Sequence, residues 1–368
     1  MTVNQLFLNG FRNYDNVSIQ FCDGVNVISG RNAQGKTNLI EAVYYLATGR
    51  TFRGTGDKDL IRFDNERASI KAEIVSCSRN QTLEARFSHG RRRELFANGV
   101  KLKKATELTG RLTTVLFSPD DLTIIKDGAT VRRKLMDNCL SQLRPGYLAA
   151  LTEFNKLYEH KTRILRDHYE KPSLLDLLGD FNLRLAHHSA QLIFYRSAFS
   201  EGLTRRATKI HNDFSSGQEE LTIKYKTVGK LDPLGKKASD ILPYLLEHQE
   251  EHYTAELRAG LCLSGAHKDD LEIEINGISA RKYASQGQAR TAAVSIKLAE
   301  RDIHCDQLGE YPVLLLDDVL SELDATRQGF ILEKIEDGQV FITCCDETTV
   351  GAKRSGKTIK IENGKLMT

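Results

Sequence analysis

Apolar residues alternate with polar ones at the start of the chain, at Leu6, Leu8 and Phe11 and again at Val17, Ile19 and Phe21. That period predicts a strand, a turn and a second strand. Val25-Asn26-Val27-Ile28 is a short apolar strand running straight into Gly30. From Thr37 to Leu46 the apolar positions Leu39, Ile40, Val43 and Leu46 fall at helical spacing. Residues 68–104 alternate again, with turn signals at His89-Gly90 and Asn98-Gly99, the second a strong hairpin signal. Near residue 121 the pattern becomes mostly helical and mixed in charge, punctuated by Pro145, Pro172, Pro233 and Pro243. After residue 257 strands return, with Leu271-Glu272-Ile273-Glu274-Ile275 before a second Asn-Gly turn at Asn276-Gly277. A helix is predicted from Gly287 to Asp302. Val313-Leu314-Leu315-Leu316 and Val340-Phe341-Ile342-Thr343 read as strands buried on both faces. The order predicts an α/β head, residues 1–120 and 257–368, split by a mostly helical lobe at 121–256. A length of 368 residues agrees with two compact units.

The strand–loop–helix at residues 25–46 carries the clearest chemistry. Gly30-Arg31-Asn32-Ala33-Gln34-Gly35-Lys36-Thr37 fits G-x-x-x-x-G-K-[ST]. Glycines let the backbone wrap close to phosphate oxygens, and the N–H groups of the following helix meet the negative charge. Lys36 is expected to reach the β- and γ-phosphates of ATP, with Asn38 next in the helix, and the Thr37 hydroxyl to ligate Mg²⁺. Leu314-Leu315-Leu316-Asp317-Asp318 ends an apolar strand in two carboxylates, where ligands of parallel sheets gather. Asp317 is expected to hold Mg²⁺, and Asp318 to act as general base or water-positioner.

Composition narrows the setting. Hydrophobic residues make up 40% and charged residues 27%, as in soluble proteins. No apolar run approaches the ~18 residues of a membrane span. Met1-Thr2-Val3-Asn4-Gln5 has neither the basic start nor the apolar stretch of a signal peptide, so a cytoplasmic chain with no membrane partner is expected. The seven cysteines include no C-x-x-C pair and read as buried or idle thiols. His267 has no neighbour at metal-ligand spacing and reads as structural or interfacial.

Net charge is only +3, so local clusters matter more. Residues 81–104 hold seven basic side chains (Arg86, Arg91, Arg92, Arg93, Lys101, Lys103, Lys104) against two acids, and 181–210 hold five against one. Both are candidate phosphate-facing patches for DNA, foremost Arg91, Arg92, Arg93, Lys101, Lys103 and Lys104. Arg50 and Arg53 are further candidates for nucleotide or DNA phosphate.

Ser285-Gln286-Gly287-Gln288 opens a helix, and a serine hydroxyl with a helix N-terminus makes a second anion site. One nucleotide does not need two such sites, so Ser285, Gly287 and Gln288 are expected to serve the nucleotide of a second copy. Here the chain resembles the ABC-type ATPases, with Ala284–Gln288 at the signature position and Ser321-Glu322-Leu323-Asp324 at the loop after the acidic strand. The resemblance narrows to the RecF family of bacterial recombination mediators. It is carried by Phe11-Arg12-Asn13-Tyr14, Gly49-Arg50-Thr51-Phe52-Arg53, Phe117-Ser118-Pro119-Asp120-Asp121-Leu122, Gly265-Ala266-His267-Lys268-Asp269-Asp270-Leu271 and the Ser-Gln-Gly-Gln segment, in order from residue 11 to 324.

The resemblance implies an ABC/SMC-type head with a helical second lobe, an ATP-induced homodimer and slow, DNA-stimulated hydrolysis. It also implies binding to single-stranded and duplex DNA at gap junctions, and work with RecO and RecR proteins to load recombinase in repair, replication and the SOS response. Three departures stand out. Gln286 replaces the first signature glycine. Thr343-Cys344-Cys345 stands where ABC transporters place a histidine, leaving Thr343 as the γ-phosphate candidate. No Q-loop glutamine is visible near Phe117–Leu122. Rival readings are an ABC transporter ATPase subunit, an SMC arm protein and a non-hydrolysing ATP-gated DNA clamp. The long insertion opposes the first, and the absence of sustained heptads the second.

Overall fold

The computed structural model describes residues 1–345 and 356–367. Contacts divide the chain into two compact units, Met1–Thr123 with Ala293–Thr368, and Ile124–Ala292.

The first unit opens with β1 (Thr2–Phe11), β2 (Tyr14–Gln20), β3 (Val25–Ser29) and α1 (Lys36–Thr48). Then come β4 (Arg67–Ser76), β5 (Arg79–Ser88), β6 (Glu94–Ala97), β7 (Val100–Lys101) and β8 (Thr114–Phe117). The second unit carries α2 (Ala129–Leu143), α3 (Pro145–Asp167), α4 (Leu178–Ser215) and β9 (Leu221–Lys226). It continues with α5 (Ala238–Glu251), α6 (Tyr253–Ala259), β10 (Asp270–Ile275), β11 (Ile278–Ser279) and α7 (Ala280–Tyr283). The unit boundary falls inside α8 (Gln286–Leu308). The first unit then resumes with β12 (Val313–Leu316), α9 (Ala325–Lys334), β13 (Val340–Cys344), β14 (Lys357–Glu362) and β15 (Lys365–Met367).

Two six-stranded sheets build the first unit. One is antiparallel in the order β2-β1-β4-β5-β6-β7, and the other runs β15-β14-β3-β13-β12-β8. In the second, β3, β13, β12 and β8 are parallel neighbours, with β14 parallel to β3 and β15 antiparallel to β14. α1 touches strands of both sheets. Ten of its 13 residues are buried, so it is covered nearly all round and not along a single stripe. One apolar core therefore reaches from Leu6 and Ile70 through Leu39 and Val43 to Leu315 and Phe341. The Asn98-Gly99 turn joins β6 to β7 with both residues in the left-handed region (φ 51° and 76°), as the sequence predicts. Cys77-Ser78 closes β4 onto β5 in the same way (φ 48° and 59°), a turn with no sequence signal.

The second unit corrects the expected boundary. The return to the head was expected at residue 257 and is found at 293. β9, inside the stretch expected to be helical, pairs antiparallel with β10, and β10 with β11, so residues 270–279 belong with the helices before them. The Gly265–Leu271 segment is a structural anchor of this unit. Fully buried Asp269 accepts from Arg196 Nη1 (2.6 Å), Tyr225 Oη (2.5 Å) and Thr227 Oγ1 (2.6 Å), and Asp270 pairs with Arg132. Arg196 is thereby withdrawn from the candidate patch at 181–210. No helix among the described residues is long and apolar enough to cross a membrane.

One buried side chain of the first unit makes stability depend on pH. His304 on α8 is fully buried, and neither ring nitrogen has a hydrogen-bond partner among the described residues. Burial pushes its pKa down to about 3. The unfolded chain binds the proton near pH ~6.5, so the contribution of this residue is present above that pH and is lost as pH falls toward the folded value. At pH 5 the loss is about 2 kcal/mol. His304→Leu is expected to lose less melting temperature than the wild type between pH 7 and pH 5. An equal loss in both proteins would rule out His304 as the acid-sensitive group.

Candidate functional site

The Gly30–Thr37 loop makes backbone demands that its two glycines meet. Gly30, Ala33 and Gly35 have φ of 151°, 63° and 115°. A Cβ on Gly30 would lie 2.3 Å from the Ile361 carbonyl oxygen, and one on Gly35 would lie 2.6 Å from Asn13 Nδ2. Both positions are therefore closed to any side chain. Asn13 Nδ2 donates to the Gln34 carbonyl (2.8 Å), Asn38 Nδ2 donates to Asn13 Oδ1 (2.8 Å), and Tyr14 Oη donates to the Gly35 carbonyl (2.9 Å). The β1–β2 turn thus fastens the loop from one side. Gly364 N–H, in the β14–β15 turn, donates to the Gln34 carbonyl from another (3.1 Å).

α1 begins at Gly35 with no side-chain cap and no acid in its first turn, so its leading N–H groups are left for an anion. Lys36 is buried. Its Nζ donates to the carbonyls of Gly30 (2.5 Å) and Arg31 (3.1 Å) and lies 3.6 Å from Cys345 Sγ. Cys345, expected to be buried or idle, is exposed and donates to Asn32 Oδ1 (2.9 Å). Arg31, Asn32 and Ala33 form the exposed rim.

Thr37, Asp317 and Thr343 meet at the carboxyl ends of β12 and β13. The Thr37 hydroxyl hydrogen-bonds the Asp317 carboxylate, and Thr343 Oγ1 donates to Asp317 Oδ1 (3.0 Å). Burial pushes the Asp317 carboxyl above its ordinary range, and the bonds from Thr37 and Thr343 and the charge of Arg53 oppose that rise. Asp318 has φ 56°, a left-handed backbone unusual for aspartate, fixed by its N–H donating to Thr343 Oγ1 (2.8 Å). Its conformation is held from β13 and by Ser321, whose hydroxyl donates to the Asp318 carbonyl (2.7 Å).

A second layer lies beneath the loop. Glu41 is fully buried and accepts Arg12 Nε and Nη2 (2.9 Å each) and Thr51 Oγ1 (2.5 Å). Arg53 Nη1 donates to Asn38 Oδ1 (2.9 Å) and lies 3.9 Å from Glu41. The segments Phe11–Tyr14 and Gly49–Arg53 therefore converge on the phosphate loop. Glu41 carries no local sequence signal, and Asn13 enters the sequence reading only within the Phe11–Tyr14 segment, with no role assigned to it.

Ser285, Gly287 and Gln288 lie in the second unit at the start of α8. Ser285 N–H donates to Gln288 Oε1 (2.9 Å) and Gln288 N–H to Ser285 Oγ (3.1 Å), a reciprocal cap. Of the candidate DNA contacts, Arg93 is tied to Asp57 (3.0 Å) and stacks its guanidinium over Tyr45, and Lys101 pairs with Glu94. Arg91, Arg92, Lys103 and Lys104 are exposed.

The donor set fits a magnesium nucleotide. The loop is a cradle that Cβ atoms would fill, its ammonium is buried, and a hydroxyl and a carboxylate already touch where a hard cation takes oxygen ligands.

The RecF/RecN/SMC N terminal domain family matches residues 2–367. The chain is 37% identical over 367 residues to the DNA replication and repair protein RecF of Acetivibrio thermocellus, covering 99% of each. It is 36% identical over 371 residues to that of Clostridium acetobutylicum, covering 100% of this chain and 99% of the relative. Among solved structures, the recombination mediator protein RecF-ATPrS in the RecFOR pathway superposes with a TM-score of 0.93 at 36% identity, covering 99% of this chain and 97% of the other. An Smc head domain from Pyrococcus furiosus superposes with a TM-score of 0.58 at 17% identity, covering 99% and 95%, a likeness of fold alone. The fold is the ABC/SMC-type ATPase head, with mixed sheets and flanking helices.

Proposed function

The chain belongs to the RecF family of DNA replication and repair proteins, and from that premise we propose that it is a weak, DNA-stimulated ATPase whose ATP-bound dimer holds DNA at single-strand gaps. The observation that carries this reading is the junction of Thr37, Asp317 and Thr343 beside the buried Lys36. The loop N–H groups take the phosphates, and Lys36 exchanges its two carbonyl partners for β- and γ-oxygens. Thr37 and Asp317 would hold Mg²⁺, which would supply positive charge against the phosphates. Asp318, whose N–H is held by Thr343, orients the attacking water, and Thr343 is the candidate contact to the γ-phosphate. Ser285 of a second copy, with Gly287 and Gln288, closes over the same nucleotide. Closure brings the exposed Arg91, Arg92, Lys103 and Lys104 of two copies onto one DNA surface, and hydrolysis reopens it. RecO and RecR type proteins are the partners in loading recombinase, in the cytoplasm.

The test is DNA binding on gapped, single-stranded and duplex substrates, with and without ATP, read together with light scattering. Wild-type protein is expected to dimerise with ATP and to prefer the gapped substrate, with affinity falling steeply with salt. Ser285→Arg is expected to keep monomer ATP binding, lose the ATP-induced dimer and lose ATP-dependent DNA binding together. Dimers that persist in Ser285→Arg would overturn the cross-copy assignment.

A further inference from the structure

The reciprocal cap at Ser285 is itself held from outside. Gln288 Oε1 accepts the Ser285 N–H, so the Gln288 amide must point its Nε2 away, and Nε2 donates to Glu219 Oε1 (2.8 Å). The other oxygen, Glu219 Oε2, meets Nε2 of the fully buried His211 on α4 (3.0 Å). Glu219 sits in the turn between α4 and β9. Its N–H donates to Ser215 Oγ (3.2 Å), and the neighbouring Glu220 N–H donates to Asn276 Oδ1 (2.8 Å). From the other side, Lys126 Nζ donates to the carbonyls of Ala284 (2.6 Å) and Ala280 (3.3 Å), fixing the chain just before Ser285. The Ser285 hydroxyl accepts the Gln288 N–H, and a hydroxyl that accepts still carries a proton to donate to an anion.

We propose that Glu219 is a positioning residue: through Gln288 it sets the Ser285 hydroxyl for the phosphate of a second copy, and so ties the end of α4 to ATP-induced closure. This rests on the reading of Ser285 given above. A carboxylate suits the task because it only accepts. It fixes which end of the Gln288 amide faces Ser285, and a flipped amide would set N–H against N–H. Burial lowers the pKa of His211, so a neutral ring donating from Nε2 completes the chain.

Without the Glu219 carboxylate, Gln288 loses its anchor and the cap loses its fixed sense. Glu219→Ala is expected to raise the ATP concentration for half-maximal dimerisation roughly tenfold, the loss of about one charge-assisted hydrogen bond. ATP affinity of the monomer, set at the phosphate loop, should not change. Glu219→Gln keeps one carbonyl acceptor for Gln288 Nε2 and, with His211 in the tautomer whose Nε2 accepts from the new NH₂, should recover to within about twofold. In the ATP-free monomer, amide hydrogen exchange over residues 284–290 should quicken in Glu219→Ala and not in Glu219→Gln. The double variant Glu219→Ala/Gln288→Ala should dimerise no worse than Gln288→Ala alone, since both act through one bond. Wild-type dimerisation and exchange in Glu219→Ala, or additive losses in the double variant, would overturn the proposal. If the wild-type protein itself stays monomeric with ATP, the cross-copy reading fails, and the exchange data still decide whether Glu219 holds Ser285.

Discussion

Lys36→Arg is expected to lower ATP turnover by about 10²–10³-fold while leaving the melting temperature close to that of the wild type, as for removal of one preorganised donor to developing charge. Lys36 Nζ sits inside the loop between the carbonyls of Gly30 and Arg31, almost out of solvent. An ammonium is a compact point charge that can turn from those carbonyls to phosphate oxygens without moving its stem. A guanidinium is longer, planar and bound to a fixed fork of donors. Arg31, Asn32 and Ala33 beside it are exposed, so the longer group can turn out to solvent without straining the fold, but it then no longer presents a point charge inside the loop. The fold does not depend on the ammonium, because α1 is held by its buried apolar residues. Single-turnover hydrolysis with a thermal melt checks the expectation. A change confined to KM would mean that Lys36 binds ground state and transition state alike, and unchanged turnover would sink the assignment of the loop.

Arg12→Met is expected to cost about 3–5 kcal/mol of stability, because it removes the hydrogen-bonded cation of a buried carboxylate and leaves only the more distant Arg53 at 3.9 Å. Glu41 is fully buried, and among the described residues two of its three hydrogen bonds come from one guanidinium. Arg12 also donates to the Asp59 carbonyl and to Thr55 Oγ1 (2.8 Å each), so the loss extends to the segment after α1. Methionine keeps the apolar stem, so the change is confined to the guanidinium. The melting temperature should fall by about 10 °C. Arg12→Met/Glu41→Gln should recover part of the loss, since a neutral amide is cheaper to bury than an unpaired charge. Turnover should fall as well, because Asn13 beside Arg12 fastens the phosphate loop. A melt within about 1 °C of wild type would show that water reaches Glu41 and replaces the guanidinium.

The two apolar strands at 313–316 and 340–344 and the Asn-Gly hairpins were legible because each is a demand made on adjacent residues. β9 was not, although Leu221, Ile223 and Tyr225 alternate with polar residues, because a single short strand among helices has no partner in view until β10 is placed beside it. The domain boundary moved with that pairing. Charge was legible as a count and misleading as a surface. Arg93 and Arg196 stand in basic stretches of sequence, yet each is paired with an acid far along the chain, half-exposed Asp57 and buried Asp269.

The sequence by itself determined the phosphate loop. Gly30 and Gly35 answer to a backbone of positive φ with close neighbours, Lys36 and Thr37 follow at the fixed spacing of the phosphate-loop pattern, and such local demands leave a spacing that can be read. Only the tertiary structure decided what makes that loop a site. Asp317 and Thr343 reach Thr37 across about 300 residues of chain, Ile361 closes on Gly30, and Glu41 is charged and buried because Arg12 comes back to it. Those contacts depend on which strands lie side by side, and strand order in a parallel sheet is fixed by packing of the whole core and not by any neighbour in sequence.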